Sequence, residues 1–265
     1  MRQHFHHAEL GIISPNGIFS SLKRALFFSV AKNRYLKQLL TVDDSLENDV
    51  AMKFLGKFKV AYFQEPAPDL QFCPAREAKT SLGLDPSRKL ILLYGSLSAR
   101  KGVAELLRSL TEPGFPMDMD VLVAGLVSEE AIRLLLIQDW VVDLRVRGRL
   151  IVIDRAIDSD EEGILFGASE IVWLGYRGHY ASSGVLAQAV KASRPVIACK
   201  EGLIGWRTQR YCLGITVDPE VPRDVANAAR VLLDESITTR GTAAPRWSPP
   251  TVAEAQRMLA RVLLG

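Results

Sequence analysis

From about residue 88 onward, short apolar segments alternate with longer segments whose apolar residues recur three and four positions apart. Segments that are apolar almost throughout, such as Lys89 to Tyr94 and Ile171 to Leu174, predict strands buried on both faces. The helical spacing in segments such as Val103 to Leu110 predicts amphipathic helices. At least six strands alternate with helices in this way up to residue 240. We therefore predict an α/β domain with a doubly wound, parallel, Rossmann-like sheet.

The chain on either side of this domain has a different pattern. Closely spaced prolines, including Pro66 and Pro68, disfavour helix and indicate a linker. A second irregular, proline-containing segment precedes a final amphipathic helix, Val252 to Leu264. The predicted organisation has four parts, which are a small partial amino-terminal α/β segment (1–65), a linker (66–87), the Rossmann-like domain (88–240), and a crossing segment with the carboxyl-terminal helix (241–265).

The amino-terminal segment contains a basic amphipathic stretch, Ile18 to Leu40, which predicts one helix of about twenty residues. We expect this helix to pack against its own domain; the alternative is a surface that binds a membrane or a partner protein. Two short segments, Leu39 to Val42 and Lys59 to Phe63, predict strands.

Composition narrows the function classes. The chain has 265 residues, 48% of them hydrophobic, and 33 basic against 30 acidic side chains, so it is a folded protein without the charge surplus of a nucleic-acid binder. Three cysteines, an odd number, predict reduced and buried thiols in a cytosol; they are Cys73, Cys199 and Cys212. No apolar run reaches the length of a membrane span, so we expect a cytoplasmic protein, with peripheral association at the inner face of the membrane as an option. The cluster His4, His6 and His7 lacks accompanying ligands, and no metal is expected.

Ligands of doubly wound sheets bind at the carboxyl ends of the strands, so the loops there are the candidate sites. The loop after the first predicted strand runs from Gly95 through Ser96 to Arg100, Lys101 and Gly102. A glycine at the strand end and two cations before a helix suit a phosphate, although a solvated basic turn has the same composition.

A second loop, Tyr176 to Gly184, precedes another predicted helix and carries Arg177, His179, Ser182 and Ser183. Hydroxyl groups and free helical N–H groups beside cations form an anion site, whereas a serine alone could be only the helix N-cap. Two such loops on one sheet indicate a diphosphate-bearing ligand such as a nucleotide-sugar.

Three segments, Tyr94 to Val103, Ala168 to Val190 and Arg194 to Ala198, together resemble the carboxyl-terminal donor-binding domain of glycosyltransferase family 4 (group 1), of the GT-B fold. The resemblance spans roughly residues 50 to 235. It implies transfer of a sugar from a nucleoside diphosphate donor to a glycan or lipid-linked acceptor, with retention of configuration and without a metal or other cofactor. It also implies that residues 1–65 are a truncated amino-terminal, acceptor-side domain.

The resemblance assigns roles to individual residues. Lys101 matches the lysine that grips the donor diphosphate; Ser96 stands where the family has an arginine, for which Arg100 could substitute. Tyr180 and Gln188 stand where the family has two glutamates, near the donor sugar and its ribose. The implied donor-binding residues are Gly95, Ser96, Lys101, Ile153, Asp154, Arg155, Tyr180, Ser182, Ser183, Gly184, Val185 and Gln188.

The implied catalytic residues are Lys101, Arg100 and His179, and Glu201 would lie near the cleft. The missing glutamates leave three hypotheses open. The chain is a transferase, a catalytically inactive nucleotide-binding or regulatory homologue, or a nucleotide-sugar epimerase in which His179 or Glu201 moves the proton.

Overall fold

The structure is a computed structural model that describes residues 17–45, 60–235 and 247–264. The cluster His4, His6 and His7 lies outside these residues. The strands of the described residues are β1 (Leu39–Thr41), β2 (Val60–Tyr62), β3 (Lys89–Tyr94), β4 (Met119–Ala124), β5 (Leu150–Ile153), β6 (Ile171–Leu174), β7 (Val196–Cys199) and β8 (Gly214–Val217). The helices are α1 (Gly17–Ala31), α2 (Ala75–Ser81), α3 (Val103–Ser109), α4 (Glu130–Leu136), α5 (Asp139–Val146), α6 (Ser159–Ala168), α7 (Gly184–Lys191), α8 (Gly202–Arg210), α9 (Pro222–Glu235) and α10 (Val252–Leu264).

Six strands form one parallel sheet in the order β5-β4-β3-β6-β7-β8. The chain moves outward in one direction from β3 to β5 and then returns to start β6 on the other side of β3. This is the doubly wound, Rossmann-like topology that the alternating pattern predicts, and the fold class is confirmed. The strand order reverses between β3 and β6, which makes their carboxyl ends the expected ligand crevice.

The central strands are apolar throughout because both faces of the sheet are covered. In β3, Ile91 and Leu93 point into a core shared with α3, α4, α5 and α9, whereas Leu90 and Leu92 point into a second core shared with α2, α6, α7 and α8. Each successive position of the strand therefore requires an apolar side chain, which explains the unbroken hydrophobic run.

The predicted helix from Ile18 to Leu40 is too long. Helix α1 ends at Ala31, and the Asn33 side chain then accepts a hydrogen bond from the Tyr35 N–H, forming an Asx turn that reverses the chain before β1. Phe27 and Ala31 are buried, in keeping with the expected packing. Leu22, Leu26 and Val30 are nevertheless exposed, so the helix carries an additional apolar stripe.

The two predicted amino-terminal strands are present as β1 and β2, which pair in parallel. A buried ion pair ties this segment to the main sheet, because Arg207 Nε on α8 lies 2.9 Å from the Asp44 carboxylate just after β1. Tyr211 donates a hydrogen bond to the same carboxylate, and its ring stacks on Trp247 from the crossing segment.

The segment that we expect to be a linker, 66–87, contains α2 and packs closely on α6. A Cβ atom at Gly163 would lie 2.1 Å from the Gln71 carbonyl oxygen, and one at Gly167 would lie 2.5 Å from that of Cys73. The two glycines let the extended chain lie directly on the helix. The four-part division of the chain stays a prediction.

All three cysteines are free thiols, but the expectation that they are buried holds only for Cys199. Cys212 is exposed, since it lies in the turn after α8, and Cys73 is partly exposed. Within the described ranges, no helix is both long and apolar enough to cross a membrane.

Candidate functional site

The loops after β3 and β6 meet at the point where the strand order reverses. The Arg177 N–H donates to the Arg100 carbonyl at 2.8 Å, and the Trp173 indole donates to the Lys101 carbonyl at 2.9 Å. A Cβ atom at Gly102, where φ is +68°, would lie 2.3 Å from the Gly175 carbonyl oxygen. The two loops identified from the sequence thus form one structural unit, and Gly102 is required by the closeness of the two backbones.

Lys101 is the most unusual side chain of this unit, because its ammonium group is buried beside neutral partners. It is 6% exposed and donates to the Tyr94 carbonyl at 2.7 Å and to the Tyr176 hydroxyl at 2.9 Å. Among the described residues, no carboxylate lies within 4 Å of its Nζ. Burial, together with the charge of Arg100, lowers the pKa of Lys101 from 10.5 to about 8. The site therefore holds a cation that lacks a negative partner.

A chain of hydroxyl groups leads from Lys101 to the start of α7. Burial raises the pKa of Tyr176 to about 12, against a smaller opposing effect of Ser183, so the phenol stays neutral. Ser183 occupies the N-cap position of α7, but its side chain makes no capping hydrogen bond. The first-turn N–H groups of Gly184 and Val185 have no partner within the helix, and a Cβ at Gly184 would point into open space. This helix end offers free N–H groups and the positive end of its dipole to an anion.

Arg100 is exposed beside this cluster, with its guanidinium 5.7 Å from the centre of the Tyr176 ring, and it is held there by His179. Its Nη1 lies 2.8 Å from His179 Nδ1, and His179 Nε2 lies 3.0 Å from the Ser182 carbonyl oxygen. Because the guanidinium can only donate and the carbonyl can only accept, these contacts fit a neutral imidazole with its proton on Nε2. In this arrangement His179 positions Arg100. Both of its ring nitrogens are engaged, so neither is available to take a proton from a substrate.

Other candidates from the sequence have partners outside this cluster or are exposed. Asp154 accepts a hydrogen bond from the Val127 N–H, and Arg155, next to it after Ile153, pairs with Glu161. Ser96 is exposed at the loop tip. The roles assigned to these residues stay predictions.

Arg177, which accompanies His179 in the second loop, is engaged by two carboxylates. Its guanidinium contacts Glu105 on α3 and Glu220 after β8. Tyr180 joins its loop to the first turn of α8, since its carbonyl accepts from the Leu203 N–H at 3.3 Å. Glu201 stands at the N-cap position of that helix without a capping hydrogen bond.

A second polar cluster, not expected from the sequence, lies beside the first. The Gln188 amide donates to the Glu162 carboxylate, and burial, together with the charge of this carboxylate, raises the pKa of Tyr94. Burial raises the pKa of Glu162. Glu162 is one of three acids in the first turn of α6. Acids in this place favour the start of a helix, so the sequence alone does not indicate a further role for Glu162.

The described residues contain no group of three or more His, Cys, Asp or Glu side chains that could hold a metal ion.

Comparisons with known proteins place this geometry in context. No protein-family model matches the chain. No curated protein matches it either.

Solved structures do match. Sucrose-phosphate synthase from Thermosynechococcus elongatus has a TM-score of 0.66 at 18% identity, covering 92% of this chain and 62% of that one. HepE of Anabaena, solved in complex with UDP-glucose, has a TM-score of 0.68 at 15% identity, covering 93% and 68%. The chain thus spans less than two thirds of the length of the first of these proteins.

A third structure is a single domain. It is the carboxyl-terminal domain of LpcC, a group 1 family glycosyl transferase from Francisella tularensis, with a TM-score of 0.52 at 18% identity. The match covers 63% of this chain and 86% of that domain. The chain therefore has the fold of the GT-B glycosyltransferases, in keeping with the resemblance found in its sequence.

Proposed function

We propose that the chain is the nucleotide-sugar-binding part of a family 4-like glycosyltransferase, which transfers a sugar with retention of configuration to a glycan or lipid-linked acceptor. The observation that carries the proposal is the buried, carboxylate-free ammonium group of Lys101 at the reversal point of the sheet. A desolvated cation without a negative partner is costly in a free protein and favourable only when an anion binds.

A nucleoside diphosphate fits the charge distribution around Lys101. The ammonium would contact the phosphate that leaves with the nucleotide, the N-terminus of α7 would face the same group, and the exposed guanidinium of Arg100 would contact it from the loop after β3. These groups would stabilise the negative charge that develops as the sugar–phosphate bond breaks. The fold relative HepE was solved with UDP-glucose, which supports a donor of this chemical class.

Retention and the absence of a metal requirement belong to the proposal through the family resemblance. The acceptor hydroxyl would be deprotonated with help from a donor phosphate oxygen, since His179 Nδ1 is engaged with Arg100. Peripheral membrane association, which would suit a lipid-linked acceptor, is compatible with the exposed stripe of Leu22, Leu26 and Val30 on α1.

One observation favours a second candidate, a nucleotide-binding homologue without transferase activity. Neither position 180 nor position 188 carries a carboxylate, and the Gln188 amide is bonded to Glu162. Such a protein would keep the diphosphate site around Lys101 and lack the group that acts near the sugar.

A thermal-shift titration of the purified chain tests the proposal. UDP, GDP and ADP would be compared with uridine, guanosine and adenosine, with and without a divalent cation. We expect stabilisation by at least one nucleoside diphosphate, far beyond that of its nucleoside. Release of the nucleoside diphosphate from its hexose conjugate then separates the transferase from the inactive homologue. No stabilisation by any diphosphate would contradict both candidates.

A further inference from the structure

Lys101 carries a buried amine whose surroundings favour its uncharged form. Its Nζ lies 2.7 Å from the Tyr94 carbonyl oxygen and 2.9 Å from the Tyr176 hydroxyl oxygen, and in the described part of the chain no carboxylate lies within 4 Å of it. Burial, together with the charge of Arg100, lowers the pKa of Lys101 to about 8. A desolvated lysine beside another cation is the kind of amine that acts as a nucleophile near neutral pH.

Gly95 leaves space beside this amine. A Cβ atom at Gly95, where φ is +99°, would lie 3.0 Å from Lys101 Nζ and 3.8 Å from its Cε. Apart from residue 95 and its two neighbours in the chain, no other atom of the described residues lies within 4 Å of that point. Gly95 is partly exposed and Ser96 is exposed, so the point lies near the surface. An electrophilic carbon placed there would be at about 3 Å from Nζ, the separation from which a nucleophile attacks.

The charges around the amine determine which electrophile fits best. The guanidinium carbon of Arg100 lies 5.7 Å from the centre of the Tyr176 ring, and Lys101 Nζ lies 4.7 Å from the same centre. Arg100 is exposed, whereas Lys101 is only 6% exposed. A guanidinium binds phosphate oxygens through charge-assisted hydrogen bonds, so it suits a reagent whose leaving group is a phosphate. An acyl phosphate joins such a leaving group to an electrophilic carbon.

We propose that Lys101 is a modification site at which a small acyl phosphate acylates the amine and thereby removes the charge of the anion site. The uncharged Nζ attacks the acyl carbon, a carbon–nitrogen bond forms, and the bond between that carbon and the phosphate oxygen breaks. The phosphate leaves with the electron pair and takes up the proton that the amine loses. The product is a neutral amide. The acylation itself goes beyond the proposed function; only its effect on nucleotide affinity rests on that function.

The test follows acetylation of the lysines in the unaltered chain. The protein would be incubated with acetyl phosphate at about pH 7.5, and the acetylated fraction of each lysine measured over time by peptide mass spectrometry. Lys200 and Lys79 are internal controls. Lys200 is exposed, and its hydrogen bond to Asp218 raises its pKa, whereas Lys79 is 2% exposed and lies 2.7 Å from a carboxylate oxygen of Glu170.

We expect Lys101 to react about tenfold or more faster than either control, because a lowered pKa gives it a larger uncharged fraction. A rate at or below that of Lys200 would overturn the proposal. The N-hydroxysuccinimide ester of acetic acid has a leaving group without a phosphate, so the lead of Lys101 over Lys200 should shrink by about fivefold or more. Arg100→Gln should shrink the lead for acetyl phosphate in the same way. An equal lead with both reagents would overturn the assignment to acyl phosphates.

Two further results separate this inference from the proposed function. Gly95→Ala, which fills the space beside Nζ, should block acetylation of Lys101, whereas Gly83→Ala, which also has a left-handed backbone but meets nothing within 4 Å, should not. If Gly95→Ala does not fold, the rates in the unaltered chain still decide. Acetylation of Lys101 should abolish stabilisation by a nucleoside diphosphate, and unchanged stabilisation would contradict the loss of the anion site. Selective acetylation of a chain that binds no nucleotide would contradict the proposed function and support the modification site.

Discussion

Lys101 Nζ lies 2.9 Å from the hydroxyl oxygen of Tyr176, and this contact joins the loop after β3 to the loop after β6. The ammonium also lies 4.7 Å from the centre of the Tyr176 ring. Burial keeps the phenol neutral, so the positive charge of Lys101 is positioned but not neutralised.

Affinity for a nucleoside diphosphate should fall as the pH rises through about 8. Burial lowers the pKa of Lys101 to about 8, so below this pH the free chain carries the ammonium that meets the diphosphate. Above it, binding requires the uptake of a proton, and affinity should drop by up to about tenfold per pH unit. Titration calorimetry from about pH 7 to about pH 9 measures this dependence.

The matched nucleoside provides the control, because it presents no charge to Lys101 and its affinity should stay constant over the same range. A diphosphate affinity that does not change up to about pH 9 would contradict the depressed pKa. The stability of the free protein should change with pH in the opposite direction to the diphosphate affinity. Between about pH 8 and pH 10.5 the unfolded chain binds more protons at this side chain, so the free protein should gain stability from it as the pH rises.

Substitution of Gly102 should separate the two loops. Both Gly102 and Gly83 have a φ of +68°, but a Cβ at Gly102 would lie 2.3 Å from the Gly175 carbonyl oxygen, whereas a Cβ at Gly83 would meet nothing within 4 Å. Gly83→Ala should cost only the left-handed backbone strain, about 1 kcal/mol of unfolding free energy. Gly102→Ala should cost about 3 kcal/mol or more, because the clash adds to the same strain. Equal losses in urea denaturation would show that the loops do not need this close contact.

The amino-terminal segment should depend on the ion pair between Asp44 and Arg207. The two side chains are 3% and 1% exposed, so removing one partner leaves the other charge buried. Arg207→Met should lower the free energy of unfolding by about 3–5 kcal/mol. The exposed pair Arg147 and Asp143 is the control, and Arg147→Met should change stability by less than about 1 kcal/mol. Similar small losses for both variants would mean that the buried pair does not anchor the segment.

The sheet could be predicted from the sequence because its strands are buried on both faces. In β3, four consecutive apolar residues alternate between two cores. In an amphipathic surface helix, such a run would place apolar side chains on the solvent-facing side, so the run indicates a buried strand. The end of α1 was harder to foresee, because the apolar spacing continues beyond Ala31 and the turn depends on one side-chain contact of Asn33. Local spacing does not report a turn of this kind.

The site could be predicted only in part. Lys101 follows a glycine at a strand end, and this pattern indicated that the loop could bind a phosphate. Its burial and its phenolic partner come from Tyr176, 75 positions later in the chain, and only the fold brings them together. The sequence does not single out Glu162, because an acid in the first turn of a helix has an ordinary local explanation. The loop sequence does not indicate that Arg177 is paired with Glu105 and Glu220, because both acids are distant in the chain.

The most direct test of the account is the affinity of the unaltered chain and of Lys101→Ala for the nucleoside diphosphate that stabilises it best, and for the matching nucleoside. Lys89→Ala, at the opposite end of β3, serves as the control. The account predicts that Lys101→Ala binds the diphosphate about tenfold or more weakly, the loss expected for a charge-assisted contact, and binds the nucleoside unchanged. Equal losses for both ligands, or no loss for either, would contradict it.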